Sequence, residues 1–224
     1  MKAMRDEHLA VLRRHMVEVV DIHFDLASEE IGKARLAERV RAAMLAVPRH
    51  MYVPPQFAIA CYQDTPLPIG FDKTVSQPFI GALMLDLLDI APGQSVLEVG
   101  TGLGYQAAVM SALGALVWSV EIVEEFAQAA RLRLAEQDHD VDIRVGDGSR
   151  GWADHAPFDR ILVTAAAAEP PLALLDQLSA GGRMVVPLGD EEVQRLSVVA
   201  KNEDGSSTVR AVIPVRFTRL ETMG

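Results

Sequence analysis

The chain has 224 residues, which suits one α/β domain with a small helical elaboration. Half of the residues are hydrophobic and 23% are charged, a balance that can bury a core and excludes a disordered chain. Lysine and arginine total 21 against 31 acidic residues, and the formal charge is −10. This charge disfavours nucleic acid as a partner, because phosphate binding needs clustered cations.

Membrane association, export and metal binding are all disfavoured by local sequence features. Residues 1–16 carry charges where a signal peptide needs an unbroken apolar stretch, and the nearly apolar run at 80–88 is far too short to span a membrane. The single cysteine, Cys61, excludes an internal disulfide and is expected to pack in the core. We therefore expect a cytoplasmic protein. We also expect no metal site, since no i, i+4 partner accompanies the loop histidines His50, His139 and His155.

The first 47 residues predict helices. Apolar residues recur at three- and four-residue spacing over residues 9–20 and again over 31–45. Val47 precedes Pro48, and a residue before proline is pushed out of helical geometry, so the second helix should end there.

A proline-rich segment follows, with six prolines between Pro48 and Pro78, and it predicts an ordered loop region. A further helix is expected over Phe79–Asp89. We divide the chain into a helical and loop region at 1–78, which contributes to the functional site, and a core at 79–224. The two parts are expected to form one structural unit.

From Ser95 onward, short aliphatic runs alternate with segments of helical periodicity. This alternation predicts an α/β fold with a mostly parallel, doubly wound sheet. Two last β-rich runs, 195–202 and 210–217, flank an acidic-glycine turn at 203–206, which predicts an antiparallel hairpin at the end of the sheet. The other predicted strands are 95–100, 117–122, 142–147, 160–165 and 183–188, and the predicted helices are Tyr105–Leu113, Glu124–Glu136 and Pro171–Leu178.

Three glycines, Gly100, Gly102 and Gly104, lie between the first of these strands and the following helix. Such glycines let the backbone approach a ligand closely, and the helix amino terminus offers unpaired N–H groups. Glu121 ends the next strand, 23 residues after Glu98. A carboxylate at that place is positioned to accept both hydroxyls of a ribose.

The spacing of the glycines separates two classes of cofactor. Dinucleotide binding usually needs G-x-G-x-x-G, whereas this chain has G-x-G-x-G preceded by an acidic residue. The pattern resembles motif I of the Rossmann-like S-adenosylmethionine methyltransferases. In that superfamily the end of the third strand, here Asp147-Gly148, contacts the adenine. The resemblance implies S-adenosyl-L-methionine as the cofactor, S-adenosyl-L-homocysteine as its product, and no metal.

Further segments resemble a narrower family, the protein-L-isoaspartate O-methyltransferases. The resemblance runs from about Val47 to Phe217, and its most specific segment is TVSQPF at 74–79, which generic methyltransferases lack. Two stretches depart from the family's usual pattern: Ala167-Ala168, where a proline is common, and Thr218–Glu221, where many relatives read VPLT. We expect both to lie near the site that binds the peptide substrate implied by the resemblance. The other matching segments are Val47-Pro48-Arg49, Tyr52-Val53-Pro54, YQDTPLPIG (62–70), GTGLGYQAA (100–108), VGDGSRGW (145–152), APFDRILVTAAA (156–167) and PVRF (214–217).

This narrower resemblance implies a role for each site residue. Ser76 matches the serine of the TVSQPF segment and is the expected catalytic hydroxyl, which orients a carboxylate by hydrogen bonding and is not a nucleophile. The implied cofactor-binding residues are Thr74, Val75, Gly100, Thr101, Gly102, Gly104, Glu121, Ile122, Asp147 and Gly148.

The resemblance also implies the reaction and the partners. A methyl group would pass to the free carboxylate of L-isoaspartyl residues in damaged proteins and peptides, with D-aspartyl residues left open as substrates. We expect no nucleic acid or membrane partner, and a monomer or weak dimer.

Two alternatives remain at this point. The first is a methyltransferase of the same fold that acts on transfer RNA or a small metabolite, which the charge of −10 and the 74–79 segment disfavour. The second is a non-catalytic or redox protein that binds a dinucleotide, which the glycine spacing disfavours. Binding assays with S-adenosylhomocysteine and NAD would separate these classes.

Overall fold

The computed structural model describes residues 2–223, with side chains from residue 7 onward; Met1 and Gly224, the ends of the predicted ranges, lie outside the described residues. The amino-terminal part is helical, with α1 at Lys2–Leu26, α2 at Ser28–Ile31 and α3 at Glu38–Ala46. Met16, Val20 and Phe24 recur every four residues on α1 and are fully buried. The first predicted helix is confirmed, and the second, expected over 31–45, begins only at Glu38. Gly32 ends the short α2 with a φ of 86°, and the residues up to Ala37 are not helical.

The proline-rich segment contains more regular structure than a loop. Three 3-10 helical turns at Arg49–Tyr52, Pro55–Phe57 and Ala60–Tyr62 precede an antiparallel hairpin of β1 (Leu67–Gly70) and β2 (Lys73–Val75). Phe71 and Asp72 connect the two strands, and both have positive φ, at 50° and 55°. The two positions with positive φ in a tight hairpin turn are usually occupied by asparagine or glycine, and this hairpin was not predicted.

A helix, α4 (Pro78–Leu88), leads from the hairpin into a seven-stranded sheet, as predicted. The strand order is β5-β4-β3-β6-β7-β8-β9; the first five strands are parallel, and β8 and β9 are antiparallel, which confirms the predicted terminal hairpin. The strands are β3 (Ser95–Val99), β4 (Leu116–Glu121), β5 (Val141–Val145), β6 (Phe158–Val163), β7 (Leu178–Gly189), β8 (Gln194–Lys201) and β9 (Ser207–Val215).

Helices cover both faces of the sheet. The core helices are α5 (Tyr105–Ala112), α6 (Glu124–Glu136) and α7 (Leu172–Asp176). On β3, Val96 belongs to one hydrophobic cluster and Leu97 to the other, and both side chains are fully buried. This alternation confirms the doubly wound arrangement. The helix predicted over Pro171–Leu178 is shorter in the structure, because the chain enters β7 at Leu178.

The sheet topology fixes where a ligand can bind. The chain passes from β3 through β4 to β5 on one side and then crosses to β6 on the other side of β3. At such a switch point the connections leave in opposite directions, so a crevice opens beyond the carboxyl ends of the strands.

Candidate active site

A cavity of about 820 Å³ lies at the carboxyl ends of β3, β4 and β6. Its volume falls within the range of roughly 300–1,000 Å³ that is usual for small-molecule sites. The strand ends contribute Val99, Gly100, Val120, Glu121, Ile122, Thr164 and Ala165. The cavity therefore occupies the switch point that the sheet order defines.

The loop after β3 has a conformation that requires glycine. Gly100 has φ 93°, and a Cβ added there would lie 2.3 Å from the Thr164 Oγ1, which itself donates to the Gly100 carbonyl at 2.8 Å. Gly102 has φ 54°, and the nearest atom to a Cβ there would be Ile69 Cδ1, at 3.8 Å. Packing against Thr164 therefore requires glycine at position 100, whereas at Gly102 the absence of a side chain leaves the backbone accessible from the cavity. Thr101 also lines the cavity.

The remaining two predicted glycines differ in position. Gly104 caps α5 with φ 94° and lies outside the cavity lining; a Cβ there would approach Ala130 Cβ and Leu134 Cδ1 at 3.3 Å on α6. Its geometry fits close packing between two helices. Gly148 does line the cavity, and a Cβ on it would lie 2.5 Å from Val99 Cγ1.

Glu121 connects the glycine loop to the end of β4. Its Oε2 accepts a hydrogen bond from the Gly102 backbone N–H at 2.7 Å, and its Oε1 accepts one from Val123 at 2.9 Å. The side chain is 5% exposed and lines the cavity beside Ile122. Because each carboxylate oxygen has two acceptor positions, one on each oxygen remains for a ligand hydroxyl.

A buried polar network, which was not predicted, lies beneath the loop. Glu98 is fully buried, and its Oε2 accepts a hydrogen bond from the Ser119 Oγ at 2.5 Å. The same Ser119 hydroxyl lies 2.5 Å from the Thr101 Oγ1. Burial, and to a lesser degree the charge of Glu121, raise the pKa of Glu98 to about 8, against a lowering by the Ser119 hydrogen bond. The signal available from sequence was an acidic residue inside a buried strand.

Asp147 turns away from the cavity lining. Its Oδ1 accepts hydrogen bonds from the Ser149 N–H at 2.9 Å and the Ser149 hydroxyl at 2.6 Å, while its Oδ2 accepts one from the Met223 N–H at 3.1 Å. The Arg150 Nε lies 3.4 Å from the same Oδ2. Burial alone would raise the pKa of Asp147, but these hydrogen bonds outweigh it and keep the pKa below its ordinary value.

Ser76 lies in the connection between β2 and α4, and it lines the cavity together with Thr74 and Val75. The Ser76 hydroxyl makes no hydrogen bond within the described part of the chain, so it is available to a ligand. Asp64 fixes the residues that follow, since its Oδ1 accepts from the Phe79 N–H and its Oδ2 from the Gln77 side chain, both at 2.7 Å. Asp64 thereby satisfies a backbone N–H in the first turn of α4.

The segment 214–221, which contains the end of β9 and the residues after it, completes the cavity. Ala166 holds it by two backbone hydrogen bonds of 2.8 Å, donating to the Thr218 carbonyl and accepting from the Leu220 N–H. The two stretches that depart from the family pattern therefore lie close to each other without pairing. Arg219 pairs with Ala166, whereas Ala167, the next residue in the chain, pairs with Leu188 on β7.

Charged and amide side chains anchor this segment at the mouth of the cavity. Lys73 pairs with Glu221, and Arg219 lies 3.2 Å from Glu191. Gln194 is 7% exposed and both donates to the Phe217 carbonyl, at 3.2 Å, and accepts from the Phe217 N–H, at 2.7 Å.

The remaining candidate groups have packing roles. Cys61 is fully buried, as predicted, and burial raises the pKa of its thiol to about 11. His50 Nδ1 lies 2.7 Å from the Tyr62 hydroxyl. Within residues 7–223, no group of three or more histidine, cysteine, aspartate or glutamate side chains is arranged to hold a metal ion. None of the helices described here has the length and apolar character needed to cross a bilayer.

The fold is similar to that of two solved structures. One, from Plasmodium falciparum, is described as a candidate protein-L-isoaspartate O-methyltransferase in complex with S-adenosyl-L-homocysteine; the TM-score is 0.79 at 22% identity, covering 94% of this chain and 99% of that one. A second, a protein-L-isoaspartate O-methyltransferase, has a TM-score of 0.77 at 27% identity and covers 95% of this chain and 66% of that one. These similarities confirm the predicted Rossmann-like methyltransferase fold.

Sequence comparison identifies the family. Two relatives from Polaromonas sp. strain JS666 are protein-L-isoaspartate O-methyltransferases 1 and 2. The first is 46% identical over 219 residues, which cover 97% of this chain and 93% of the relative. The second is 52% identical over 193 residues, which cover 85% of this chain and 92% of the relative. A family model described as protein-L-isoaspartate(D-aspartate) O-methyltransferase matches residues 25–223, so this chain belongs to that family.

Proposed function

We propose that this chain is a protein-repair enzyme that transfers a methyl group from S-adenosyl-L-methionine to the free carboxylate of L-isoaspartyl residues in damaged proteins and peptides. D-aspartyl residues are a second candidate substrate. The observation that carries the proposal is that Ser76 and the glycine loop at 100–102 line one cavity in a chain of this family.

The cavity fits the proposed cofactor on two observations. The open face of Gly102 lets a ligand approach the backbone, and Glu121 keeps acceptor positions for ribose hydroxyls. S-adenosyl-L-methionine would supply a methyl group bound to a positively charged sulfur. A carboxylate oxygen in line with that bond can take the methyl group and displace the sulfur. In this proposal the residues that hold it are Thr74, Val75, Gly100, Thr101, Gly102, Glu121, Ile122 and Gly148.

Gly104 and Asp147 enter the proposal less directly. Gly104 acts behind the loop by letting α5 and α6 approach closely. Asp147 lies outside the cavity lining, and its Oδ1 already accepts two hydrogen bonds, so contact with an adenine would use the acceptor position that remains on Oδ2 beside the Met223 N–H. Both remain predicted cofactor residues.

Ser76 orients the acceptor. A substrate carboxylate has a pKa of about 4 and is ionised near pH 7, so it needs no general base. The Ser76 hydroxyl can donate a hydrogen bond to one carboxylate oxygen and leave the other to react. A cavity that excludes water favours the reaction, since a cation and an anion partly neutralise each other as it proceeds. Orientation contributes several kcal/mol of the roughly 7–11 kcal/mol that ideal alignment supplies.

The proposal treats residues 1–78 and 79–224 as one structural unit. In support, one hydrophobic cluster contains Phe24 and Met44 from the first part and Leu83 and Val96 from the second. The proposal further includes a cytoplasmic location, a monomer or weak dimer, and damaged proteins as partners in place of nucleic acid, in keeping with the charge of −10.

Methyl transfer from labelled S-adenosyl-L-methionine tests the function. The substrates compared are an isoaspartyl peptide, its aspartyl twin, a D-aspartyl peptide and transfer RNA. We expect label in the isoaspartyl peptide and none in the aspartyl twin. Equal labelling of the two peptides, or labelling of transfer RNA alone, would contradict the proposal.

Replacing Ser76 tests its role. A hydrogen bond to a charged group contributes about 1.5–3 kcal/mol, so Ser76→Ala should lower kcat roughly 10- to 100-fold. The dissociation constant for S-adenosyl-L-homocysteine, measured by calorimetry, should stay within about twofold, because the hydroxyl acts on the acceptor. Ser206→Ala, in the exposed turn between β8 and β9, is the matched control. Full activity of Ser76→Ala would remove Ser76 from the mechanism.

A further inference from the structure

Arg49 is a buried cation close to the candidate active site. Its side chain is 1% exposed, and its Nε donates a hydrogen bond to the Cys61 carbonyl at 2.9 Å. Its Nη2 donates to the Ser76 carbonyl at 2.6 Å, and its Cζ lies 4.7 Å from the ring centroid of Tyr105. Within the described residues, Arg49 forms no ion pair.

Burying a guanidinium without a carboxylate partner costs several kcal/mol. Burial lowers the pKa of Arg49, but an arginine remains protonated in proteins. An apolar side chain of similar size would fill the same space at a smaller cost. The special property of arginine is a planar fork of donors that can hold two carbonyl groups in fixed directions.

The three contacts of Arg49 join three separate segments. Cys61 belongs to a 3-10 turn, Ser76 lies between β2 and α4, and Tyr105 is the first residue of α5, directly after the glycine loop. Arg49 therefore ties the backbone of Ser76 to the loop that lines the other part of the cavity. Asp64 holds the residues after Ser76, so the serine carbonyl and the residues that follow it are both anchored.

We infer that Arg49 is a positioning residue, which holds the Ser76 carbonyl and thereby directs the Ser76 hydroxyl toward the acceptor carboxylate. It acts through Ser76 and contacts neither substrate nor cofactor. The inference rests on the proposed role of Ser76.

Arg49→Lys is the first test, because lysine keeps the charge but cannot reproduce the two directions of the fork. A misplacement of about 1 Å can lower a rate 100-fold, so we expect kcat to fall roughly 10- to 100-fold. The dissociation constant for S-adenosyl-L-homocysteine should change less than about threefold. Arg160→Lys is the matched control, because Arg160 also donates to backbone carbonyls, those of Leu88, Asp89 and Asp159, but lies outside the cavity lining; its kcat should not change.

A double-mutant cycle separates positioning from general support. If Arg49 acts through Ser76, adding Arg49→Lys to Ser76→Ala should lower kcat by less than about threefold further. A further loss as large as in the wild-type background would overturn the inference and assign Arg49 a structural role alone. Arg49→Met, which removes the charge and keeps the volume, is the second variant if Arg49→Lys does not fold, and the same outcomes apply.

Hydrogen exchange tests the same inference without the reaction. Exchange over residues 73–79 should become faster in the Arg49 variant, while exchange over β3 stays as in the wild type. Unchanged exchange over 73–79 would overturn the inference whatever the activity. A wild-type chain that fails to methylate the isoaspartyl peptide would instead contradict the proposed function, and the two failures are thereby distinguished.

Discussion

The cavity has two walls that are built in different ways. The strand-end wall, residues 99–102, 120–122 and 164–165, follows directly from the carboxyl ends of parallel strands and is fixed by positive φ angles and buried hydrogen bonds. The rim wall, residues 73–77 and 214–221, comes from the small hairpin and the last segment. Arg49 and Asp64 hold the first part of the rim wall. The Ala166 backbone, the Gln194 side chain and exposed ion pairs hold the second part. We therefore expect cofactor binding to depend steeply on the first wall and peptide selection to depend weakly on the second.

The largest effect is expected at Gly100. Alanine there would adopt a φ of 93° and place its Cβ 2.3 Å from the Thr164 Oγ1, which would have to leave its hydrogen bonds to the carbonyls of Val99 and Gly100. The left-handed conformation and the lost hydrogen bonds together should lower the free energy of unfolding by roughly 2–4 kcal/mol. Urea unfolding measures this loss, and calorimetry should show at least about tenfold weaker binding of S-adenosyl-L-homocysteine.

Gly205→Ala is the matched control for this substitution. Gly205 has a φ of 82°, and no atom lies within 4 Å of a Cβ added there. Only the conformational cost of about 1–2 kcal/mol should appear, with cofactor affinity unchanged. If the two alanine variants behaved alike, packing against Thr164 would not be what makes the strand-end wall rigid.

The strand-end wall could be predicted from the sequence because its signals are local. Each aliphatic run is followed within a few residues by the glycine or acidic residue that ends the strand, as with Gly100 and Glu121. The parallel sheet then brings these ends together, since parallel strands share one edge for their carboxyl ends.

For the rim wall, Thr74, Val75 and Ser76 were predicted only through the family resemblance. The contacts that hold this wall could not be predicted, because they join residues that are distant in sequence. Arg49 and Ser76 are 27 residues apart in sequence, and Asp64 caps a helix at Phe79, 15 residues away. The turn at Phe71 and Asp72 carries no glycine or asparagine to indicate a hairpin. In each case the partner becomes evident only when the chain has folded.

A change that is smaller at each pH unit is expected from Glu98, beneath the strand-end wall. Its folded-state pKa of about 8 lies above the ordinary 4.5, so the folded protein holds a proton that the unfolded chain releases between these values. The stability contributed by this proton is complete below about pH 4.5 and decreases as pH rises through about 8. Between these two pH values, the free energy of unfolding of the wild type should fall by up to about 1.4 kcal/mol per pH unit relative to that of Glu98→Gln, because the glutamine cannot titrate.

Urea unfolding of both proteins at about pH 5, 6, 7 and 9 measures this difference. Glutamine keeps an acceptor oxygen for Ser119, so the comparison isolates the proton. Parallel stability curves for the two proteins would show that Glu98 is ionised in the folded state and that the buried network carries a charge.

The smallest effect is expected in the rim wall, at the ion pair between Lys73 and Glu221. The Glu221 side chain is 53% exposed, and exposed pairs contribute about 0–1 kcal/mol, so Glu221→Gln should leave the free energy of unfolding and cofactor affinity nearly unchanged. The substitution removes the partner of the Lys73 ammonium, which lies three residues from Ser76 in sequence, so this charge can attract an acidic substrate. We therefore expect the KM for an isoaspartyl peptide to fall about two- to threefold at low salt and to return to the wild-type value when salt screens the charge.

Glu203→Gln, the same change in an exposed turn, should leave KM as it is. A large loss of cofactor affinity in Glu221→Gln would instead show that the segment 214–221 holds the cofactor as well as Thr74 and Val75 do, and the weak dependence expected of this part of the rim wall would no longer stand.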